Sequence, residues 1–337
     1  MLLPATIDEL VLEEVLGEGA CGRVYAGVRT GPLGFRRAVA VKILTPERAL
    51  QRASVEALSA EARILGTIDH PNVVRARDFR RVRLPDGTWS QALVMDLVRG
   101  GPVSTLRGCL APVPLVLSLL AQGCDALRAV HRTAAPGRCL VHRDVKPENL
   151  LLTASGHLVL IDFGVAVETD GRTPPGASGM TVGSPPYMSP EQVAGEALDG
   201  RSDLHTLGSV AFELLTGERY VEPIAGPPSP ERALAAVLRT RWTLRRLRLL
   251  EALSEPAPHG HDLLPPAADR VIDLLGRLLA ADPARRHRSA EQALRATQAV
   301  QATLVQPAEA RAARDWLIAC LPVTPKGALG GEEESAA

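Results

Sequence analysis

The sequence predicts an α+β fold in two lobes, a small N-terminal antiparallel β-sheet carrying one helix and then a larger, mainly α-helical lobe. Residues 9–44 alternate Val- and Leu-rich runs with glycine clusters, whereas from residue 103 apolar residues recur at three- and four-residue spacing. At 337 residues the chain has room for two domains of roughly 150 residues each. Its 46% hydrophobic content against 23% charged residues supplies a sizeable core.

Taken in order, LVLEEVL from Leu10, RVYAGVR from Arg23 and RAVAVKIL from Arg37 read as three strands broken by glycines at 17–22 and 31–34. Pro46 fits a first helical turn, and Leu50, Val55, Leu58, Ala62 and Leu65 continue one apolar face up to Gly66. VVRARDFRRVRL and WSQALVMDLV, joined by Pro85-Asp86-Gly87, read as a hairpin that completes a sheet of about five strands. In the second lobe 113–134, 202–217, 266–281 and 289–304 read as helices, with short strands near 140, 150–153 and 157–161. The Gly-, Pro-, Ser- and Thr-rich stretch 168–186 reads as a long functional loop, 222–230 and 254–266 as connectors, and 322–337 as an acidic, mobile tail.

Charge and cysteine usage exclude several classes. Lys+Arg and Asp+Glu are each 38, so no bulk cationic field draws in nucleic acid or acidic lipid, and neither is expected as a partner. Five cysteines (Cys21, Cys109, Cys124, Cys139, Cys320) without a CxxC pair suggest neither a disulfide framework nor zinc, and a reducing cytoplasm is the expected location. The acidic N-terminus does not read as a signal peptide, and the longest apolar stretch, 110–121 with two prolines, is too short to span a bilayer.

Gly17-Glu18-Gly19-Ala20-Cys21-Gly22 is a GxGxxG that a strand follows, which fits a glycine hairpin over a nucleotide and not a dinucleotide-binding turn, where a helix would open. Lysine occurs only at 42, 146 and 326 and asparagine only at 72 and 149, so these positions stand out for chemistry that arginine cannot do. Lys42 shares a strand face with Ala40, and Glu61 is placed to pair with Lys42, with Glu47 and Glu56 as competitors.

The runs Val141-His142-Arg143-Asp144-Val145-Lys146-Pro147-Glu148-Asn149-Leu150-Leu151 and Leu160-Ile161-Asp162-Phe163-Gly164 resemble the eukaryotic-type (Hanks-type) protein kinases over about residues 10–300. Lys146 two places after Asp144 resembles the Ser/Thr branch, and the Arg- and Ala-rich composition a bacterial member.

The resemblance implies a bilobal protein-kinase-like fold with a lead at 1–9, a nucleotide-binding N-lobe at 10–98, a C-lobe at 99–304 and an extension at 305–337. It implies ATP and Mg²⁺, with Asp144, Lys146, Lys42 and Glu61 as catalytic residues and Asn149 and Asp162 as metal ligands. Leu16, Gly17, Gly19, Gly22, Val24, Ala40, Lys42, Asp96, Val98 and Leu151 would hold the nucleotide, Asp96 and Val98 through backbone hydrogen bonds with Met95 behind them.

Gly183–Glu191 resembles the substrate-positioning segment, with Ser184 for Thr and Ser189 for Ala. Glu191 would pair with Arg286, or with Arg285, and Asp203 would either hold the catalytic loop or cap its own helix. The implied reaction phosphorylates Ser/Thr of protein substrates and the chain's own loop at Thr181, Thr173 or Ser178, a phosphate docking on Arg143. A homodimer acting in trans is compatible with it. A nucleotide-binding scaffold without turnover and a small-molecule kinase are the alternatives.

Three features stay open. Cys21 is an oxidisable position or a plain surface residue. The run from Arg239 to Arg248 with Trp242 and Leu247 is a docking face or a solvated helix face. Arg311–Leu321 is a helix packed on the large lobe or an assembly contact.

Overall fold

The computed structural model describes residues 3–19, 22–172, 183–221, 242–254 and 263–321. They divide into two compact units, one from Met1–Asp69 and Val74–Arg99, the other from His70–Val73 and Gly100–Pro322. The expected fold class holds: a β-rich unit and a mainly helical one.

The first unit is built on an antiparallel sheet of six strands, β1 (Ala5–Ile7), β2 (Leu10–Glu18), β3 (Gly22–Thr30), β4 (Arg36–Leu44), β5 (Ala76–Arg83) and β6 (Trp89–Asp96), in the order β1-β2-β3-β4-β6-β5. The sixth, unexpected strand is β1, too short to show a pattern, which pairs Ala5 with Leu12. Strand alternation sorts the side chains. Tyr25, Val39, Val41, Ile43, Ala92 and Val94 join Leu10, Leu12 and Val82 in a buried cluster on one face. The other face carries the row Val24, Lys42 and Leu93 and the row Ala26, Ala40 and Met95. Register shifts between Leu12 and Glu14 and between Val15 and Gly17 interrupt β2, which leaves both Val15 and Leu16 about half exposed, at 45% and 47%.

The helix expected from Pro46 to Gly66 is two pieces, α1 (Pro46–Ala49) and α2 (Arg52–Thr67). Gln51 is extended (φ −91°, ψ 114°) between them, so Leu50 is 83% exposed and does not belong to the apolar face. Leu58, Ala62 and Leu65 do, together with the buried Glu61. The strand expected from Val73 starts at Ala76, and Val73 instead makes a parallel bridge to Leu160 within the second unit.

In the second unit, α3 (Val113–His131), α4 (Pro190–Ala194), α5 (Gly200–Thr216), α6 (Trp242–Ser254), α7 (Pro265–Leu278), α8 (Ala290–Leu304) and α9 (Pro307–Cys320) accompany the short strands β7 (Gly101–Pro102), β8 (Cys139–Val141), β9 (Leu150–Leu152), β10 (Leu158–Leu160) and β11 (Val167–Thr169). Helix α5 is the axis of the core: every residue from Ser202 to Thr216 is buried. Two of its hydroxyls are satisfied inside the helix, Ser209 donating to the His205 carbonyl and Thr216 to that of Phe212.

Helix α3 is long and apolar enough to cross a membrane by length and composition, longer than the 12-residue stretch read from the sequence. Pro114 stands in its first turn, where an intrahelical N–H bond is not yet needed, so the helix runs on past it. Eleven of its residues are buried in this unit. Helix α9 is packed there too, with Leu317 fully buried and Ala313 and Trp316 nearly so. Asn72, one of the two asparagines, serves structure: its Nδ2 donates to the Leu158 carbonyl (2.7 Å) and to Gln122 Oε1 (3.0 Å).

Candidate active site

In the first unit, β2 and β3 pair Gly17 with Val24 and Glu18 with Arg23, and the Gly19 N–H donates to the Gly22 carbonyl at 2.9 Å to close the hairpin. A Cβ on Gly17 would meet no atom within 4 Å, so this backbone is open to a ligand. Gly22 has a different reason to be glycine. Its Cβ would lie 2.2 Å from the Ile43 carbonyl oxygen, so glycine lets β3 run close against β4. Cys21 and Ala20 lie outside the described residues.

On β4, Lys42 donates to both carboxylate oxygens of Glu61, at 2.8 and 3.0 Å. Glu61 is 2% exposed, which gives this pair a partly desolvated setting that surface pairs lack. The competing carboxylates are elsewhere: Glu56 pairs with Arg52 and Glu47 lies in the exposed first turn of α1. Val24 and Ala40 share the Lys42 face, and Leu16 sits at the bulge of β2. Asp96 keeps part of its backbone for the expected role. Its N–H donates to the Arg75 carbonyl (3.0 Å) and its carboxylate accepts from Arg37 and Arg77, so of its backbone groups only the carbonyl is left for a nucleotide. Val98 follows, half-buried.

In the second unit the loop after β8 is held from below by Asp203 in the first turns of α5. Its Oδ2 accepts the His142 N–H and its Oδ1 the Arg143 N–H, both at 2.9 Å, while His131 Nε2 approaches Oδ2 at 2.8 Å. Asp203 is fully buried. Burial alone would raise its carboxyl, but the hydrogen bonds from His131 and the nearby imidazoles outweigh that and hold it below the usual range. Asp203 therefore clamps the loop, and the cap of α5 is Asp199, which accepts from the Arg201 N–H. The clamp is needed because Arg143 has φ +69° and Asp162 φ +63°, left-handed backbone that costs side-chain-bearing residues on the order of 1–3 kcal/mol each.

Lys146 Nζ donates to Asp144 Oδ2 (2.6 Å) and to Ser184 Oγ (2.9 Å), so the serine hydroxyl serves where the resembling family has threonine. Asn149 Nδ2 donates to the Asp144 carbonyl (2.9 Å) and to its Oδ2 (3.0 Å). Asp144 Oδ1 is buried and has no hydrogen-bond partner among the described residues. A buried, unpaired carboxylate oxygen is costly unless something else completes it.

The β9–β10 hairpin pairs Leu150 with Leu160, and the Ile161 N–H extends that ladder to the Asn149 carbonyl at 3.0 Å, bringing Asn149 next to the residue that precedes Asp162. With Asn149 Nδ2 committed to Asp144, its Oδ1 faces the other way. An amide oxygen and a carboxylate are the hard donors a Mg²⁺ ion takes when it keeps most of its waters, so the donor set fits that metal. Leu151, between them on β9, is half-buried. Phe163 is fixed by an edge-on contact with His142, ring centroids 4.7 Å apart.

Glu191 and Arg286 form a buried bidentate pair at 2.6 and 2.8 Å, which decides between Arg286 and Arg285. Ser202 donates to the same carboxylate (2.7 Å), and the remaining guanidinium N–H groups go to the Ala280, Ala281 and Arg201 carbonyls. Burial works against ionisation, yet the Arg286 bonds win and hold the Glu191 carboxyl at about 2.

Ser189 is the N-cap of α4 in a capping box with Gln192, which accounts for serine in place of alanine. Replacing Ser189 by alanine is expected to lower the unfolding free energy by about 1 kcal/mol, read by urea denaturation.

Sequence reasoning missed two supports. Gln192 Nε2 donates to the Arg143 carbonyl (2.8 Å), and Gly183, at φ +120°, lets that carbonyl approach to within 2.8 Å of where a Cβ would be. Arg107 links Glu148, Tyr187 and Glu213, and the Tyr187 hydroxyl donates to Glu213 Oε2 at 2.6 Å. Its members lie up to 106 positions apart, so no local spacing announces it. Of the Arg239–Arg248 run, Arg239 and Arg241 lie outside the described residues, while Arg245 and Arg248 pair with Glu218 and Arg246 with Asp269 on a salt-bridged helix face. Thr173, Ser178 and Thr181, most of the loop 168–186, the connector 222–230, most of 254–266 and the tail 322–337 also lie outside the described residues.

Compared with known proteins, residues 10–299 match the family model described as the protein kinase domain. The chain is 34% identical over 318 residues to the serine/threonine-protein kinase Pkn1 of Myxococcus xanthus, covering 92% of this chain and 41% of that protein. It is 31% identical over 293 residues to the serine/threonine-protein kinase PknA of Mycobacterium tuberculosis, covering 86% and 61%. The chain thus spans between about two fifths and three fifths of the length of these relatives. Among solved structures, the PknI kinase domain of Mycobacterium tuberculosis superposes with a TM-score of 0.55 at 25% identity, covering 89% of this chain and 99% of that one.

Proposed function

The chain belongs to the protein kinase family, and from that premise we propose that it is a serine/threonine protein kinase, moving the γ-phosphate of ATP onto serine and threonine hydroxyls of protein substrates, its own loop included. One observation carries the reading. Asp144 has one oxygen engaged by Lys146 and Asn149 and the other buried without a partner, which is what an incoming hydroxyl needs.

In this mechanism the substrate hydroxyl donates to Asp144 Oδ1. As its oxygen bonds to the γ-phosphorus, the bond from that phosphorus to the β-bridging oxygen breaks, ADP leaves, and the hydroxyl proton passes to Asp144. Lys146, a compact cation already beside Asp144, offsets the negative charge on the moving phosphoryl group. Lys42 grips the ATP phosphates, its ammonium oriented by Glu61. The open backbone of the glycine hairpin offers N–H groups to the same phosphates, and Val24, Ala40 and Leu16 offer apolar contact to the base. Magnesium, when bound, supplies charge neutralisation across the phosphates, and Asn149 and Asp162 are the residues that would hold it. The segment anchored by Glu191 and Arg286 gives a peptide a fixed surface, which favours protein substrates over small molecules. An ATP-consuming reaction of this kind belongs on the cytoplasmic side, and copies of the chain can serve as each other's substrates.

The test is transfer of label from γ-labelled ATP to a generic basic protein and to the chain itself. Mg²⁺-dependent label on serine and threonine is expected, falling at least about a hundredfold in Lys42→Met. Incorporation indifferent to that substitution, or label confined to small-molecule acceptors, would overturn the reading.

A further inference from the structure

At the end of the first unit's sheet farthest from the glycine hairpin lies an open cavity of about 700 Å³ that the reaction does not use. Small-molecule sites fall in the range of roughly 300–1,000 Å³. The wall is formed by Glu9 before β2, the turn from Arg29 to Phe35 between β3 and β4, Arg37 and Val39 on β4, and Arg77 on β5. Arg37 stands five residues from Lys42 along β4, about 17 Å, and strand alternation puts the two on opposite faces of the sheet.

Three guanidiniums line the cavity against one carboxylate. Glu9 is already served by Arg80, whose Nη2 stands 2.8 Å from Oε1, and Arg29 Nη2 adds a longer approach at 3.2 Å. Asp96 accepts from the other two, from Arg37 Nη2 at 3.0 Å and from Arg77 Nε at 2.7 Å. With Asp78, which pairs with Arg80, the four arginines 29, 37, 77 and 80 face three carboxylates, leaving one positive charge in excess. A guanidinium has five N–H donors. Among the described residues Arg37 commits one of them to a hydrogen bond and Arg29 none, whereas Arg286, which serves structure, spends its donors on Glu191 and three backbone carbonyls.

The rest of the wall is apolar. Phe35 folds back over the turn, its Cδ1 3.2 Å from where a Cβ on Gly31 would be, yet the residue stays 56% exposed. A ring held against backbone beside unspent cations suits an anion that carries a flat apolar group.

We propose that this cavity binds a small soluble phosphate monoester, its oxygens taking N–H groups of Arg29, Arg37 and Arg77 and its apolar part lying on Phe35. Phosphate fits better than carboxylate. The guanidiniums come from three strands, β3, β4 and β5, and reach the cavity from separate directions, which suits a tetrahedral set of oxygens, whereas a single planar fork satisfies a carboxylate. The volume holds such a molecule whole, which favours a free solute over a lipid headgroup.

The probe is phenyl phosphate, titrated by calorimetry at low salt into the 337-residue chain without nucleotide or Mg²⁺. One-to-one binding with a dissociation constant below about 1 mM is expected. Arg29→Gln and Arg37→Gln should each weaken it about tenfold. Arg29→Gln removes only an ion pair that Arg80 duplicates, so it keeps the test valid if Arg37→Gln lowers stability. Phe35→Ala should weaken phenyl phosphate about fivefold and leave inorganic phosphate unchanged. Lys42→Met, which removes the cation of the nucleotide site, and Arg295→Gln, an exposed arginine on α8, should leave binding as it is. Affinity indifferent to both cavity arginines, binding lost in Lys42→Met, benzoate held as tightly as phenyl phosphate, or adherence to vesicles containing phosphatidic acid with none to the free probe would each overturn the proposal. None of these readouts depends on phosphoryl transfer, so failure here and failure of the kinase reading are distinguishable.

Discussion

Asp144→Asn is expected to lower the single-turnover rate of phosphoryl transfer by about 10³-fold, at the centre of the range for loss of a positioned general base. The substitution preserves shape and leaves an amide oxygen for Lys146 or Asn149, so the melting temperature and the affinity for nucleotide should stay near those of the parent chain. What disappears is the acceptor at Oδ1. Rapid-quench measurement with saturating ATP and a serine peptide checks this, with thermal unfolding alongside. A rate loss below about threefold would remove Asp144 from the reaction.

The second large effect is on stability. Arg286→Ala leaves Glu191, 4% exposed, without its bidentate partner, and breaking such a pair from one side costs about 3–5 kcal/mol. The pair also gives an acid-sensitive contribution. The Glu191 carboxyl is held at about 2 in the folded chain against its ordinary value of 4.5, so its stabilisation is fully present above pH 4.5 and is lost as pH falls toward 2. A displacement of that size corresponds to about 3 kcal/mol. Denaturant titrations at pH 7 and pH 3 should show the parent chain losing somewhat more than half of this increment, about 2 kcal/mol, while Arg286→Ala, already without it, changes less. Arg286→Met combined with Glu191→Gln, which removes both charges, should recover much of the loss at pH 7, and if it does not, packing rather than charge dominates the site.

The catalytic motifs were legible because phosphoryl transfer needs particular side chains at short spacing: Asp144, Lys146 and Asn149 lie within six residues, and a hairpin brings Asp162 beside them. Lys42 and its helix partner were legible from strand alternation and helical periodicity. Elements that depend on tertiary contacts were not. Strand β1 has three residues and exists because β2 is there to pair with it. The break at Gln51 leaves the apolar spacing intact, so counting apolar positions ran through it. The choice between Arg286 and Arg285 depends on which side chain turns inward after the turn Pro283–Arg285, and the bond from the Asp96 N–H to the Arg75 carbonyl joins residues 21 positions apart.

Asp203 has a consequence for motion. Amide protons in loops ordinarily trade with water within seconds, yet those of His142 and Arg143 end on a carboxylate that is wholly enclosed in α5. They can be released only when that helix itself comes apart. In deuterium these two positions should keep time with the slowest core amides, so the part of the chain nearest the chemistry is as rigid as its innermost helix.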